Sequence, residues 1–492
     1  METSTFKLIE ATIEDIQQAF QENRLTSAEL VQAYLDRIEA FDRNGPKINS
    51  VLTINPDALK IAAELDEMRG QDGQGPLYGI PVLLKDNIET ADPMPTTAGA
   101  IALEHNFAKQ DAFLAKQLRG AGAIILGKVN LSEWAYFMSQ DGPSGYSSLG
   151  GQVLNPYGVG IFKAEDVGGS SSGTGAAIAS NFAVVGIGTE TSGSILSPAS
   201  ANSIVGIKPT VGLVSRSRII PIAESQDTAG PMARTVADAA ILLGALTGVD
   251  EQDPATQKSA GQSLTDYTPH LKSDGLKGAR IGVDLSFLNN EEPEERAIMD
   301  EAIEQLKSLG ATVEEVTIPQ QSFESDVMWY EFKRGVNDYL STMPGEVPVK
   351  SLADVIAFNK QDPERRMKFG QAELEKSQSL SDDPTDPTYV EHRQTDLRCS
   401  TLQGLDLIMR EHQLDALLFQ NNRGAAMPAQ AGYPSITVPA GYTSSGHPIG
   451  VTFSARAFSE ARLIELAYSY EQATRKRKAP DFSKHPITNT FQ

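Results

Sequence analysis

Residues 168–200 read GGSSSGTGAAIASNFAVVGIGTETSGSILSPAS, and the reading of the whole chain turns on this stretch. Two glycine-serine clusters, at 168–173 and 188–194, flank an Ala-rich segment and an apolar run. Residues 174–181 suit a helix. Residues 183–187 (AVVGI) suit a short buried strand. One loop therefore opens a helix and the other follows a strand. Glycines let backbone come close to a ligand, and serines supply hydroxyls. A flexible Gly/Ser linker would lack the apolar helix and strand between the clusters. The pattern is that of an active site.

Three chemistries compete for it. Gly169–Gly173 fits G-x-S-x-G, a nucleophile elbow with Ser171 as nucleophile. That reading needs a strand running into the loop, but residues 160–167 (GIFKAEDV) make a poor one. It also needs a late histidine, for which His447 and His485 are the candidates. A phosphate-binding glycine loop at a helix start is the second reading, and it lacks the Lys-Ser/Thr that should follow. The third is a Ser-Ser-Lys site, which needs a lysine from elsewhere. Residues 79–87 (GIPVLLKDN) provide one. Lys85 ends an apolar run, where burial lowers an amine's pKa and makes it a usable base. A strand-end lysine can equally reach out to water.

Composition sets limits. The chain has 492 residues, 40% of them hydrophobic, enough for a large core. A net charge of −22 argues against nucleic acid or an anionic membrane as partner, because phosphate binding needs basic surface. One cysteine, Cys399, excludes an internal disulfide and a cysteine-based metal cluster. It is compatible with a reducing compartment, and a cytoplasmic location is expected. The first twenty residues show no signal-peptide pattern. The most apolar helix, at 239–249, is too short to span a bilayer.

Taken in order, residues 1–69 read as three helices. Capping boxes stand at Thr12–Asp15 and Thr26–Glu29, and Asn55-Pro56 reads as a third helix start. Strands are expected at 80–84 and 123–126, with a helix at 113–119. Residues 122–128 (GAIILGK) imitate a phosphate loop, but Val129 stands where Ser or Thr must follow. The segment reads better as a strand ending in an exposed lysine, Lys128. A strand at 203–208 precedes an apolar helix at 234–248. Strand, helix and strand follow at 279–284, 293–309 and 311–318, with Pro293 opening that helix and Gly310 closing it. Residues 320–413 are helical and charged, with a loop at 381–387 (SDDPTDP). Strands return at 414–419, 435–440 and 449–453, before a last helix at 459–475. Lys476-Arg477-Lys478 suits a helix C-terminus. Strands alternating with helices predict an α/β fold. It is a single large domain with a mixed, largely parallel sheet covered by helices on both faces. Its parts are a lead-in at 1–69, a core at 79–319, a helical insertion at 320–413 and a closing unit at 414–475.

The motifs together resemble the amidase signature hydrolases. They are GIPVLLKD at 79–86, GGSSSG at 168–173, GTETSGSI at 188–195, VGIKPT at 205–210 and QDTAGPMAR at 226–234. Within that family the chain is most similar to the bacterial peptide amidases. The resemblance implies a Ser-Ser-Lys triad: Ser194 as nucleophile, Ser170 as bridging serine and Lys85 as base, with the Gly169–Ser170 peptide bond cis. It implies an oxyanion hole from the backbone N–H groups of Thr191, Ser192, Gly193 and Ser194, and no metal or organic cofactor. Trp134 and Ala135 become substrate-pocket candidates, although Trp134 reads equally well as core. Ser171 supports the loop or the triad, and Ser172 suits a helix cap. The sequence departs from the family pattern at Glu190, Ser192 and Leu196, where many members have Asp, Gly and Arg, and at Gln420-Asn421-Asn422.

The implied reaction is hydrolysis of a carboxamide C–N bond, with a peptide C-terminal amide as a candidate substrate. Two other functions remain open on the same fold. One is the amidase subunit of a tRNA-dependent amidotransferase, which would travel with a partner chain. The other is a catalytically silent binding protein.

Overall fold

The computed structural model describes residues 6–71, 73–288, 292–319, 324–343 and 345–483. Its strands are β1 (Val51–Ile54), β2 (Pro81–Lys85), β3 (Ile124–Val129), β4 (Tyr146–Ser147), β5 (Gly151–Gln152) and β6 (Val185–Glu190). They continue with β7 (Val205–Lys208), β8 (Thr228–Ala233), β9 (Arg280–Val283), β10 (Thr312–Glu315), β11 (Ala416–Gln420), β12 (Ser435–Tyr442) and β13 (Pro448–Ser454). Strands β4 and β5 form a small ribbon, and the other eleven form one sheet in the order β1-β3-β2-β6-β8-β7-β12-β13-β11-β9-β10.

The sheet is mixed, as expected, and helices flank it. Parallel pairing is gathered in two blocks, β3-β2-β6 and β11-β9-β10. The strands between them pair antiparallel. Strands β2, β3, β6, β7 and β8 are buried at every position. Strands covered on both faces need show no two-residue alternation of apolar and polar residues, and these do not.

Two strands of the large sheet escape a reading by hydrophobic pattern, as do the two short strands of the ribbon. β1 is a four-residue edge strand antiparallel to β3. β8 (TAGPMA) carries a glycine and a proline and almost no β-branched residues, yet it pairs with β6 along its whole length. The β7 ladder reaches only Met232 and Ala233, so the missing N–H of Pro231 disturbs no β7 pairing. Gly230 lies where a Cβ would stand 2.0 Å from the Ile207 carbonyl oxygen, and the strands could not approach as they do with any other residue.

The lead-in forms its three helices, and both capping boxes are present, Thr12 with Asp15 and Thr26 with Glu29. The third helix, Ala58–Glu67, begins later than Asn55-Pro56 suggests. Asn55 instead makes a turn, accepting the Asp57 N–H at 3.0 Å on its side chain. Arg477 does more than complement a helix end. Its guanidinium grips both carboxylate oxygens of Glu10 at 2.8 Å, tying the closing segment to the lead-in.

Between Val327 and Glu411 the described residues are largely helical. Phe332, Val336, Leu340, Leu352 and Leu374 pack with Trp134, Phe137 and Met138 into an apolar cluster separate from the main core. The insertion therefore rests on the segment that follows β3. Among the described residues no helix is long and apolar enough to cross a membrane.

Candidate active site

β2 and β6 run parallel, with Val82 opposite Val185 and Leu84 opposite Ile187. Parallel neighbours bring their C-terminal ends to the same edge of a sheet. Lys85, the last residue of β2, therefore meets Thr189 and Glu190, the last residues of β6. Residues 191–194 continue directly from that edge. The other serine loop precedes the helix Ser172–Ala179.

Ser171 fastens the two loops together. Its hydroxyl donates to the Thr189 carbonyl at 3.0 Å and accepts the Thr189 N–H at 3.2 Å. Its own N–H donates to the Ser194 carbonyl at 3.1 Å. The elbow reading, which made Ser171 a nucleophile, fails on its first requirement. A 3-10 turn, Ala164–Val167, precedes the loop where a strand is needed. His447 stacks on Phe162, with ring centroids 3.6 Å apart, and His485 lies outside the described residues. Ser172 does not act as a helix cap; its hydroxyl turns back to donate to the Gly168 carbonyl at 2.6 Å.

Lys85 is fully buried. Its Nζ lies 2.7 Å from Ser170 Oγ and 3.2 Å from the Thr189 carbonyl oxygen. Burial draws its pKa down to about 7, while the negative charges of Asp227 and Glu190 work against that fall. The amine is therefore close to half neutral at neutral pH. The Gly169–Ser170 peptide bond is cis, and the Ser170 carbonyl accepts the Ser132 N–H at 3.1 Å.

Asp227 stands near the lysine and was not among the candidates named from sequence. Burial pushes its pKa up to about 6. It accepts the Thr191 hydroxyl at 2.5 Å and the N–H groups of Ile222 and Ala223 at 2.8 and 2.9 Å. Its only trace in the sequence is its place in QDTAGPMAR, ahead of a strand that the apolar pattern does not reveal.

Glu190 changes the expected oxyanion set. Its carboxylate is buried and accepts the Gly193 N–H at 2.7 Å, the Ile195 N–H at 2.7 Å and the Leu196 N–H at 3.0 Å. The Gly193 N–H is thus committed to a carboxylate and is not free to meet an oxyanion. The remaining candidates of that set are the N–H groups of Thr191, Ser192 and Ser194.

The two pocket candidates separate. Ala135 lines a cleft of about 250 Å3 together with Asn87, Thr189, Thr191, Ile219 and Asp227. Trp134 is 2% exposed and meets the ring of Phe332 edge-on, with centroids 6.2 Å apart. It packs as core. Both residues have positive φ, 51° and 53°, a backbone region that side chains favour little. Lys128, read as exposed, is instead fully buried. Its ammonium donates to the Ile88 carbonyl and to the Thr96 hydroxyl, and Asp86 supplies the facing charge.

The family model described as Amidase matches residues 29–464. A probable amidase of Arabidopsis thaliana is 41% identical over 98% of this chain and 93% of its own. The crystal structure of an amidase family protein from Bacillus anthracis superposes with a TM-score of 0.92 at 42% identity, covering 96% of this chain and 93% of that one. Native peptide amidase from Stenotrophomonas maltophilia superposes with a TM-score of 0.90 at 44% identity, covering 97% of this chain and all of its own.

Proposed function

The chain belongs to the amidase signature family and is an amidase hydrolase, and on that premise we propose that it cleaves carboxamides through an acyl-enzyme on Ser194. Ser170 and Lys85 form the proton relay, and the substrate is the C-terminal amide of a peptide. The observation that carries the reading is the Lys85–Ser170 contact of 2.7 Å between two fully buried side chains, with the lysine's pKa drawn down by burial to about 7.

Amides resist attack because nitrogen donates into the carbonyl. A site that opens them needs an activated nucleophile, a proton for the leaving nitrogen and donors for the oxyanion. Neutral Lys85 takes the proton of Ser170, and Ser170 takes that of Ser194 as Ser194 Oγ bonds to the carbonyl carbon. Carbonyl electrons move to oxygen, where the N–H groups of Thr191, Ser192 and Ser194 receive them. The same relay run backwards delivers the proton to nitrogen, the C–N bond breaks and ammonia leaves. Water then attacks the ester on Ser194 by the same route, releasing the acid.

The peptide substrate is supported by the likeness to peptide amidase and by the cleft beside Thr191. The cleft has room for a residue ahead of the scissile amide, and its wall includes neutral side chains at Asn87, Ala135 and Ile219. Single-site specificity of this kind resides in pocket shape.

The test is ammonia release from a panel of peptide amides and simple carboxamides by the purified chain alone. Lys85→Ala, Ser170→Ala and Ser194→Ala serve as comparisons. The reading requires activity on peptide amides and loss of nearly all of it in each variant. Activity that survives Ser194→Ala overturns the acyl-enzyme. Activity that appears only with a second chain transfers the reading to an amidotransferase subunit.

A further inference from the structure

Two buried groups beside the nucleophile loop have no part in the proton relay: the carboxylate of Glu190 and the ammonium of Lys208. We propose that Glu190 is a positioning residue for the nucleophile, shaping the backbone around Ser194, and that Lys208 supplies the positive charge that faces it. The inference rests on Ser194 being the nucleophile, as proposed above.

The bonding pattern points to this role. Glu190 accepts one N–H from the residue before Ser194 and two from the residues after it, Gly193, Ile195 and Leu196. Two oxygens of one side chain thereby fix the turn on both sides of the serine. Such bonds to a carboxylate are about twice as strong as neutral ones. They also decide which N–H groups remain for an oxyanion, because the Gly193 N–H is already engaged by the carboxylate.

A bare carboxylate here would be costly in two ways. Glu190 is 2% exposed, and a buried charge needs compensation. It also lies next to the place where negative charge develops during acylation, where its field opposes the reaction. Lys208 answers both. It ends β7, is 1% exposed, and donates to the Tyr433 carbonyl at 2.6 Å. The charges facing it are those of Glu190 and Glu460. Glu460 is engaged by the Thr210 N–H at 2.7 Å.

Glutamine is a sharp probe of Glu190. It keeps the shape, but its single carbonyl oxygen cannot serve N–H groups on both sides, and its NH2 would face another donor. Aspartate keeps the charge on a shorter arm. The variants Glu190→Gln, Glu190→Asp, Lys208→Met and Glu190→Gln/Lys208→Met are compared with wild type in four measurements. These are kcat and KM on a peptide amide, the rate of Ser194 labelling by a fluorophosphonate, affinity for a peptide aldehyde that forms a tetrahedral adduct, and affinity for the product acid.

Positioning predicts that Glu190→Gln lowers kcat, labelling and aldehyde affinity together, by about 10²–10³-fold, the cost of a lost oxyanion donor. KM and product affinity stay near wild type, and Glu190→Asp recovers a large part of the loss. Lys208→Met loses less, and the double variant is no worse than Glu190→Gln, because the lysine acts through the carboxylate. Wild-type kcat in Glu190→Gln overturns the proposal. So do multiplying effects of the two substitutions, or a fall in product affinity equal to the fall in kcat. If Glu190→Gln does not fold, Lys208→Met against Glu190→Asp/Lys208→Met decides the coupling. A wild-type chain that is not labelled at Ser194 overturns the Ser194 reading itself, whereas equal labelling of wild type and Glu190→Gln overturns only this inference.

Discussion

The side-chain nitrogen of Lys85 lies 2.7 Å from the hydroxyl oxygen of Ser170, and neither side chain has any exposed surface. The lysine can take a proton only as the free amine, and burial places its pKa at about 7. We therefore expect kcat/KM for a peptide amide to rise through pH 7 and level off above it. Below the midpoint the rate should fall about tenfold per pH unit, as one proton blocks the base. A profile flat from pH 5 to 8 would remove Lys85 from the relay.

How much of this was legible in sequence depends on whether a residue's role is local. Lys85 shows itself because a lysine after GIPVLL must be buried, paired or turned out, and the glycine-serine clusters mark both loops. Thr12 and Thr26 announce their helices through acids three residues on, and the helices bear them out. Roles that depend on a distant partner did not show. Lys128 looked exposed because the groups that receive its ammonium, Ile88 and Thr96, lie some thirty to forty residues away in sequence. Asp227 precedes a strand whose Gly and Pro hide it. The loss of the Gly193 N–H to Glu190 is a matter of which way one N–H points, and residue type does not encode it.

Asp227 is the charge that does most to hold the Lys85 pKa up against burial. Asp227→Asn keeps the shape and an acceptor for the Thr191 hydroxyl but removes that charge. The lysine should then hold its proton less well, so the acidic limb of kcat/KM should move below that of wild type. Maximal rate should also fall, since Thr191 loses a carboxylate partner. The check is a pH–rate profile of both proteins on one substrate. A limb that stays in place or moves to higher pH would show that Asp227 does not act on Lys85.

Lys85 also links stability to pH. Its folded pKa is about 7, and the unfolded value is about 10.4. Between these the unfolded chain keeps the proton and the folded protein does not, so this residue makes stability rise with pH across that window. Below pH 7 the cost of burying the charged ammonium is complete. Lys85→Met removes that cost. The variant should be more stable than wild type at pH 6.5, and the gap should shrink by up to about 1.4 kcal/mol per pH unit above pH 7. Urea unfolding of both proteins at pH 6.5, 7.5 and 8.5 measures it. A gap that does not change with pH would mean that the lysine is charged in the folded protein throughout.

Gly193 has φ +81°, and a Cβ on it would stand 2.9 Å from Asn422 Nδ2. The neighbour is the end of a flexible side chain and can give way, so space alone does not forbid alanine. The backbone does resist it. A side chain at positive φ costs about 1–2 kcal/mol, and the turn relieves this by rotating out of the left-handed region. That rotation swings the Gly193 N–H off Glu190 Oε1, now 2.7 Å away, and carries Ser194 with it. Gly193→Ala should therefore lower kcat/KM by about 10²-fold, the scale of a misplaced reacting group. KM should move little, because the cleft walls at Ala135 and Asp227 belong to other segments. Steady-state kinetics and a thermal melt of the purified variant separate the two effects. A fall in melting temperature with kcat unchanged would mean that the turn absorbs the side chain without moving the serine, and that its left-handed shape serves folding alone.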